Sequence, residues 1–284
     1  MTNKTFAPVS VIIPCYRCSF TIRRAIQSII NQIQKPAEVI LVDDASGDET
    51  LAVLRELEQQ YPSWMKVIAL AENQGAASAR NAGWAAANQP YIAFLDADDA
   101  WHPKKIEIQY GYMNAHPEVT LSGHRHRILN QDNHLPDWLI PSSTIAVPIN
   151  KWNLLLSNQF ITPSIMLRRD IAQRFSEHQR YMEDHLLWLE IICDGALVVK
   201  LLEELAAIYK SSFGATGLSA NIFAMERSEL YNYVQLYKSQ RLGLITLIFL
   251  EAFSLLKFLR RSVIVGARKV VVYLGSLIAR VFSA

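Results

Sequence analysis

Short apolar runs and amphipathic stretches alternate along the first hundred residues of the chain. Runs rich in β-branched residues predict strands at 9–13, 39–42, 67–70 and 91–95. Between them, apolar residues recur at the spacing of an amphipathic helix over 20–30, 46–61 and 76–88. Ser46 and Glu49 have the spacing of a capping box that would open the second helix. Four alternations of this length indicate an α/β fold with a mostly parallel, Rossmann-like sheet flanked by helices.

The pattern loosens after residue 100. Strands are predicted at 119–129, 160–167 and 197–209, a helix at 181–193, and a polar, proline-containing loop at 130–150. Towards the C-terminus the chain becomes apolar and basic, which predicts a helical appendage. We therefore expect one domain at 1–215, whose two halves meet at about residue 100, and a C-terminal helical region at 216–284.

Three carboxylates lie within four positions at the end of the fourth predicted strand, in Asp96-Ala97-Asp98-Asp99. Crowding raises the pKa of one or more of them unless a cation neutralises the cluster. A turn rich in oxygen ligands suits Mg²⁺ or Mn²⁺, which bind through one or two carboxylates together with substrate phosphates. The alternative is an acidic surface loop whose Asp residues cap a helix.

The expected topology favours a ligand site. In parallel α/β sheets, ligands bind beyond the carboxyl ends of the strands. The loop at Pro14, the pair Asp43-Asp44 and the acidic cluster all follow predicted strands. We therefore expect these three segments to converge on one crevice.

Five segments, in this order and at these spacings, resemble the family 2 inverting glycosyltransferases of the GT-A fold, of the bacterial surface-polysaccharide type. The resemblance covers about residues 8–215. The segments are Val9-Ser10-Val11-Ile12-Ile13-Pro14-Cys15-Tyr16, Val42-Asp43-Asp44-Ala45-Ser46, Asn73-Gln74-Gly75 with Ala79-Arg80-Asn81-Ala82-Gly83, Asp96-Ala97-Asp98-Asp99, and Glu183-Asp184-His185-Leu186-Leu187-Trp188-Leu189.

The resemblance implies that the half up to about residue 100 binds a nucleotide-sugar donor and that 101–215 binds the acceptor. It implies that Tyr16 stacks on the base, that Asp44, in preference to Asp43, accepts a hydrogen bond from it, and that Asp96 lies near the ribose. A core position for Tyr16 and N-capping by Asp43 stay open as alternatives. The donor-binding residues it implies are Pro14, Tyr16, Asp43, Asp44, Arg80, Asp96, Ala97 and Asp98.

The donor phosphates need positive charge. Asp98 is expected to hold Mn²⁺ or Mg²⁺, which would stabilise the charge that develops on the leaving phosphate. The resemblance implies that Asp99 helps to hold this metal. Gly75 and Gly83 bracket a helix start whose N–H groups can face phosphate, and Arg80 would add a fixed cation there. The alternative for this segment is helix packing with a surface salt bridge.

The attacking hydroxyl must lose a proton, which requires a base within hydrogen-bond reach. The resemblance assigns this role to Asp184, and Glu183 is expected to orient the site or cap the helix. Trp101 could stack on a sugar face, whereas Trp188 falls on an apolar helical stripe and is expected in the core.

The chain departs from the family at one position. The family often has Tyr-Arg-x-His, where the His reaches the metal or phosphate. This chain has Tyr209-Lys210-Ser211-Ser212, so Lys210 is the candidate for the missing charge and the third metal ligand stays open. His124 and His126 share a strand face and are expected to be surface residues rather than ligands.

Charge is unevenly distributed although the net charge is only +2. Residues 241–284 contain seven basic side chains and one acidic one, so this tail carries +6 and residues 1–240 carry −4. The tail's longest uncharged runs, 242–250 and 270–279, are half of the ~20 residues that a membrane span needs. Two helices lying in an anionic membrane surface are therefore expected. A helical cap, an oligomer contact and a transmembrane hairpin are the alternatives.

These observations together predict a glycosyltransferase that moves one sugar from a nucleotide donor, with a UDP-sugar expected, to a lipid-linked or lipopolysaccharide-type glycan at the inner face of the plasma membrane. The three cysteines and the absence of a signal-peptide pattern agree with a reducing cytosol. No nucleic-acid partner is expected, and homo-oligomerisation stays open. The rival functions are a nucleotidyltransferase, which would need a glycine-rich loop after the first strand, and a non-catalytic nucleotide-sugar-binding module. A redox role for Cys15 and Cys18 is a weaker explanation of the same loop.

Overall fold

The computed structural model describes residues 6–129, 138–140, 144–209 and 221–282. Its N-terminal part alternates strands and helices, as the apolar pattern predicts. The strands are β1 (Ala7–Cys15), β2 (Pro36–Asp43), β3 (Met65–Ala69) and β4 (Tyr91–Phe94), and the helices are α1 (Ile22–Ile30), α2 (Thr50–Gln60) and α3 (Ala76–Ala86). β1 pairs in parallel with β2 and β4, and β2 pairs in parallel with β3. The predicted parallel βαβ arrangement is therefore confirmed.

The following part completes a nine-stranded mixed sheet. Its elements are β5 (Ala100–Trp101), α4 (Lys105–Ala115), β6 (Val119–Leu129), β7 (Ala146–Ile149), α5 (Lys151–Leu156), β8 (Met166–Arg168), α6 (Glu183–Cys193) and β9 (Leu197–Tyr209). The strand order is β3-β2-β1-β4-β8-β6-β9-β5, and β7 pairs with β9. β8 runs antiparallel to both β4 and β6, whereas β6 and β9 are parallel.

Three local expectations are wrong. Within the predicted loop at 130–150, Ala146–Ile149 forms β7, which pairs with β9. The strand predicted over 160–167 is confined to β8, and a short 3-10 turn at Thr162–Ser164 precedes it, because Pro163 has no N–H for a strand ladder. No capping box opens α2. The Ser46 hydroxyl donates to Asp43 instead, at 2.5 Å, and the carboxylate of Asp48 accepts from the Thr50 N–H.

An aromatic cluster packs α3, β4 and α6 together. Phe175 makes edge contacts with Phe94 and Trp188, at ring-centre distances of 5.2 and 5.9 Å, and Trp84 lies 5.8 Å from Phe94. The guanidinium of Arg80 lies 5.3 Å above the Phe175 ring. Through Phe175, this cluster therefore links α3, β4 and α6.

The chain divides into two compact units, Met1–Thr216 and Gly217–Ala284. The second unit contains α7 (Ile222–Lys238) and α8 (Leu244–Phe282). The expectation of two helices within the basic tail is wrong, because α8 is one continuous helix of 39 residues that no proline interrupts. Within the described part of the chain, no helix combines the length and the apolar character that crossing a membrane requires.

Buried charges join α7 to α8. Glu226 and Glu229 lie on the buried face of α7. The Lys257 ammonium lies 2.6 Å from Glu229, and Arg261 lies 3.4 and 3.5 Å from Glu226 and Glu229. Part of the tail's positive charge is therefore neutralised within its own unit.

The opposite face of α8 is apolar and exposed. Over the first twenty residues of the helix, its exposed apolar side chains fall within about 140° of arc at 100° per residue. They are Leu244, Ile245, Ile248, Phe249, Leu255, Leu256, Leu259 and Val263. This surface, which we call the α8 apolar face, contains no charged side chain within it.

Candidate active site

The loops after β1 and β2 contact each other, as the predicted convergence requires. The Asp44 N–H donates to the Cys15 carbonyl at 2.8 Å, and the Arg17 N–H donates to the Ser46 hydroxyl at 3.1 Å. From α1, Arg24 donates to the carbonyl of Asp98. The first helix therefore connects these loops to the acidic loop, by which we mean residues 96–99.

Asp44 organises the segment that leads into α3. Its buried carboxylate accepts hydrogen bonds from the backbone N–H groups of Gln74 and Gly75, both at 2.8 Å, and from the Asn73 side chain at 3.0 Å. Gly75 has a φ of +89°, a backbone conformation that favours glycine. The sequence indicated Asp44 as a base-binding residue but gave no signal of this structural role. Its contact with a base stays a prediction.

The structure gives different surroundings to the residues at the ends of β1 and β2 that were expected to bind the nucleotide. Tyr16 is 47% exposed, so the alternative that it is a core tyrosine is excluded. Pro14 lies half-buried within β1, and Asp43 is buried and accepts from Ser46 rather than capping α2. Burial and the neighbouring Cys18 raise the pKa of Cys15, which disfavours a reactive thiolate.

The three carboxylates of the acidic loop have different surroundings. Asp98 is exposed, and Asp96 is partly exposed and paired with Arg80. Asp99 is buried and accepts from the Tyr209 N–H at 3.3 Å. The Asp99 N–H donates to the Asp96 carbonyl at 3.1 Å and so closes the turn, within which Ala97 is buried.

Arg80 connects the acidic loop to α6. It is 6% exposed, and its two terminal nitrogens lie 2.9 Å from Asp96 and 3.0 Å from Glu183. Burial alone would lower the pKa of Arg80, but the two carboxylates outweigh it and raise that pKa. The salt-bridge alternative considered for Arg80 is therefore present, and it is buried rather than at the surface. Direct contact of Arg80 with phosphate stays a prediction.

Glu183 and Asp184 begin α6, directly after Met182 in the left-handed conformation. Burial raises the pKa of Glu183 to about 7, because it outweighs the opposing charge of Arg80, and the neighbouring Asp184 adds to the rise. Asp184 is partly exposed. Its carboxylate accepts from the His185 N–H at 2.6 Å and from the Thr162 hydroxyl at 3.4 Å. Thr162 follows no motif of the sequence, and only the fold identifies it.

Several candidate residues lie elsewhere. Trp101 is a correction: its ring is fully buried and its Nε1–H donates to the Pro163 carbonyl, so it cannot stack on a sugar. Trp188 is in the core, as expected. His124 is also a correction, because it is buried rather than at the surface, and burial lowers its pKa well below the ordinary value. Lys210 and Ser212 lie outside the described residues.

The donor atoms of the acidic loop fit a hard divalent cation in part. Among the described residues, no group of three or more His, Cys, Asp or Glu side chains could hold a metal ion. Asp98 is nevertheless an exposed oxygen donor next to Asp99. Mg²⁺ binds through one or two carboxylates when phosphate oxygens and water complete its shell. The residues present therefore fit a cation that a nucleotide helps to bind.

The comparisons with known proteins identify the family of the chain. The family model of glycosyl transferase family 2 matches residues 10–175. The chain belongs to glycosyl transferase family 2, and it is a transferase enzyme.

Two curated relatives illustrate the similarity. The chain is 31% identical over 188 residues to the Escherichia coli UDP-Glc:alpha-D-GlcNAc-diphosphoundecaprenol beta-1,3-glucosyltransferase WfgD. This match covers 66% of this chain and 70% of the relative. It is 29% identical over 213 residues to an uncharacterized glycosyltransferase of Nostoc sp. This match covers 71% of this chain and 64% of that relative. The chain thus spans about two thirds of the length of these relatives.

Solved structures show the GT-A fold. Staphylococcus aureus TarS 1–349 in complex with UDP-GlcNAc matches with a TM-score of 0.61 at 20% identity, over 80% of this chain and 66% of that one. The mannosyltransferase PcManGT of Pyrobaculum calidifontis, in complex with GDP-Man and Mn²⁺, matches with a TM-score of 0.64 at 18% identity, over 88% and 70%. At these identities the likeness shows the α/β GT-A fold alone.

Proposed function

We propose that this enzyme transfers one sugar from a UDP-sugar to a hydroxyl of a membrane-linked glycan, in a single displacement that inverts the anomeric centre. The observation that carries the proposal is the Arg80 bridge, because it holds the acidic loop and the start of α6 in one ion-pair network. Asp184 consequently lies next to the segment that would bind the donor phosphates. A uridine donor is supported by the UDP-sugars named for WfgD and for the TarS complex.

The donor is proposed to bind in the half up to about residue 100. The exposed ring of Tyr16 is proposed to stack on the base. Asp44 holds the loop that leads into α3, and the N–H groups at the start of this helix are proposed to face the donor phosphates. Asp96 and Ala97 border the expected ribose and phosphate positions. The acceptor is proposed to bind in the half from 101 to 215, which contributes Asp184 and Thr162.

A divalent cation, Mn²⁺ or Mg²⁺, would be held by Asp98 with help from Asp99. When bound, it supplies Lewis-acid stabilisation of the charge on the departing diphosphate. The Mn²⁺ in the PcManGT complex supports this proposal. The exposure of Asp98 supports it as well, because an exposed carboxylate can share a cation with a nucleotide that arrives from solvent.

Asp184 is proposed to be the base. The acceptor oxygen forms a bond to the anomeric carbon while the bond from that carbon to the β-phosphate oxygen breaks, and the hydroxyl proton passes to the Asp184 carboxylate. The hydrogen bonds from the His185 N–H and the Thr162 hydroxyl orient this carboxylate. Glu183, paired with Arg80, is proposed to position the start of α6 rather than to take the proton.

The second unit is proposed to hold the enzyme at the inner face of an anionic plasma membrane. The α8 apolar face is about 30 Å long at 1.5 Å per residue, and its side chains are exposed in the part of the chain that the structure describes. Lys257 and Arg261 form ion pairs with Glu229 and Glu226, so less of the tail's charge of +6 is left to attract anionic lipids. We therefore propose that burial of apolar side chains contributes more to membrane attachment than charge does. The lipid-linked acceptor named for WfgD supports a membrane site of action.

A nucleotide-sugar screen tests the proposed function. Thermal stabilisation and slow hydrolysis would be measured for uridine, guanosine, cytidine and thymidine diphosphate sugars, with and without Mn²⁺. We expect a UDP-sugar to raise the melting temperature most, with a larger rise in Mn²⁺, and the product sugar to have the inverted anomeric configuration. Preferential stabilisation by another nucleotide, or retention of configuration, would contradict the proposal.

A further inference from the structure

The acidic loop is held from the side of α1 as well as through Arg80. The terminal nitrogen of Arg24 lies 2.5 Å from the carbonyl oxygen of Asp98. The hydrogen bond crosses 74 residues of sequence and ends on the backbone of the residue whose carboxylate is exposed. A contact to this carbonyl restricts the peptide that carries the Asp98 side chain.

Tyr209 holds Arg24 in place. The guanidinium carbon of Arg24 lies 3.7 Å from the centre of the Tyr209 ring, in a cation–π stack. Tyr209 is 5% exposed and ends β9, and its N–H donates to the carboxylate of Asp99. One tyrosine therefore fixes Asp99 through its backbone and fixes Arg24, which binds Asp98, through its ring.

We propose that Arg24 is a positioning residue that holds Asp98 in the orientation in which it shares a divalent cation with the nucleotide diphosphate. This inference rests on the proposed function, since it concerns the same metal-assisted donor site. A planar guanidinium suits the role because it can stack on a ring and donate at its edge at the same time, which the ammonium of lysine cannot do. No motif of the sequence indicates Arg24, whose neighbour Arg23 looks equivalent in the sequence but pairs with Glu56 at the surface.

The experiment measures UDP binding to the full chain by calorimetry, with and without Mn²⁺. In the wild type, Mn²⁺ should strengthen UDP binding. In Arg24→Met, the factor by which Mn²⁺ strengthens UDP binding should be at least tenfold smaller, while the metal-free affinity stays the same. The variant keeps the Asp98 carboxylate but removes the hydrogen bond that restricts its peptide. Arg23→Met is the matched control and should keep the full gain.

A second pair of variants tests the stack. Tyr209→Phe keeps the ring and the N–H and should behave as the wild type, whereas Tyr209→Leu keeps only the N–H and should lose the gain as Arg24→Met does. Amide hydrogen exchange of residues 96–100 without metal should become faster in Arg24→Met and Tyr209→Leu alone.

The outcomes separate this inference from the function on which it rests. A wild type without any Mn²⁺ gain contradicts the metal assignment, and the inference with it. A wild-type gain that survives in Arg24→Met, or that Arg23→Met loses equally, overturns the inference and leaves the metal assignment standing.

Discussion

Arg80 and Glu183 are 103 residues apart in the chain, and their side chains meet at 3.0 Å in the interior of the first unit. The same guanidinium bonds Asp96 at 2.9 Å. The pair therefore joins the helix after β3 to the helix that begins with Glu183 and Asp184. This buried cation therefore helps to position the start of the helix that carries the proposed base.

Replacing Arg80 should destabilise the fold. Arg80→Met leaves Glu183 and Asp96 without their buried counter-charge, and breaking a buried pair from one side costs about 3 kcal/mol or more. Denaturant unfolding at pH 8 would measure this loss. Arg23→Met, which breaks an exposed pair, should cost less than about 1 kcal/mol. Equal losses in the two variants would contradict the structural role of Arg80.

The raised pKa of Glu183 predicts a dependence of stability on pH. The pKa of about 7 in the folded state lies above the ordinary value of 4.5, so the folded state binds more protons between these values. The stability that this proton contributes is complete below pH 4.5 and is lost as the pH rises through 7.

In Glu183→Gln the side chain at this position cannot titrate, so the variant should not lose this part of its stability as the pH rises. Between pH 4.5 and 8, the free energy of unfolding of the wild type should fall relative to that of the variant by about 3 kcal/mol. Denaturant titrations at both pH values measure the difference. Glu56→Gln, at the surface, serves as the control, and a difference that stays constant with pH would contradict the assignment.

Two helical glycines should respond in opposite directions to alanine. At Gly83 in α3, a Cβ atom would lie 2.5 Å from Ile12 and 3.2 Å from Val42, so overpacking should cost about 1–3 kcal/mol. At Gly111 in α4, nothing lies within 4 Å, so alanine should stabilise by up to about 1 kcal/mol. Thermal unfolding of Gly83→Ala and Gly111→Ala checks the pair. A neutral Gly83→Ala would show that α3 does not approach the sheet this closely.

The parallel half of the fold could be predicted because its signals are local. The runs around Val11, Ile40 and Ala93 are mostly apolar, as buried parallel strands require, and Pro14, Asp43 and Asp96 follow them directly. The short antiparallel strands were harder to predict from the sequence, since β8 is three residues long and β5 is two residues long. Strands this short have no readable period.

The side-chain network of the site could not be predicted. Arg80 appeared suited to phosphate because the sequence does not show that Glu183 packs beside it. Trp101 appeared suited to a sugar because an aromatic residue after an acidic loop reads the same whether it is exposed or buried. Long-range pairs of this kind depend on tertiary packing, which local patterns do not report.

The α8 apolar face should bind lipid bilayers. Combining Ile245→Asn, Leu256→Asn and Leu259→Asn should weaken binding to vesicles of phosphatidylglycerol and phosphatidylcholine by about 1,000-fold, because each buried apolar side chain contributes about 1.5 kcal/mol. Vesicle sedimentation measures the binding. All three side chains are exposed, so the melting temperature should change little.

The matched control uses exposed aromatic residues of α7. Tyr231→Asn with Tyr237→Asn should leave vesicle binding within about threefold of the wild type, since these residues lie outside the α8 apolar face. If the wild type ignores vesicles and the asparagine variant instead changes the oligomeric state, the α8 apolar face is a contact between copies of the chain.

The central claim, that Asp184 takes the acceptor's proton, is tested most directly by the turnover number of Asp184→Asn with the UDP-sugar that the screen identifies. The account predicts a fall of about 10²–10⁴ in kcat, with UDP affinity in Mn²⁺ unchanged, because the base acts on the acceptor and not on the nucleotide. Glu183→Gln, measured alongside, should retain far more activity. Near-normal turnover in Asp184→Asn together with its loss in Glu183→Gln would contradict the account and move the base to Glu183.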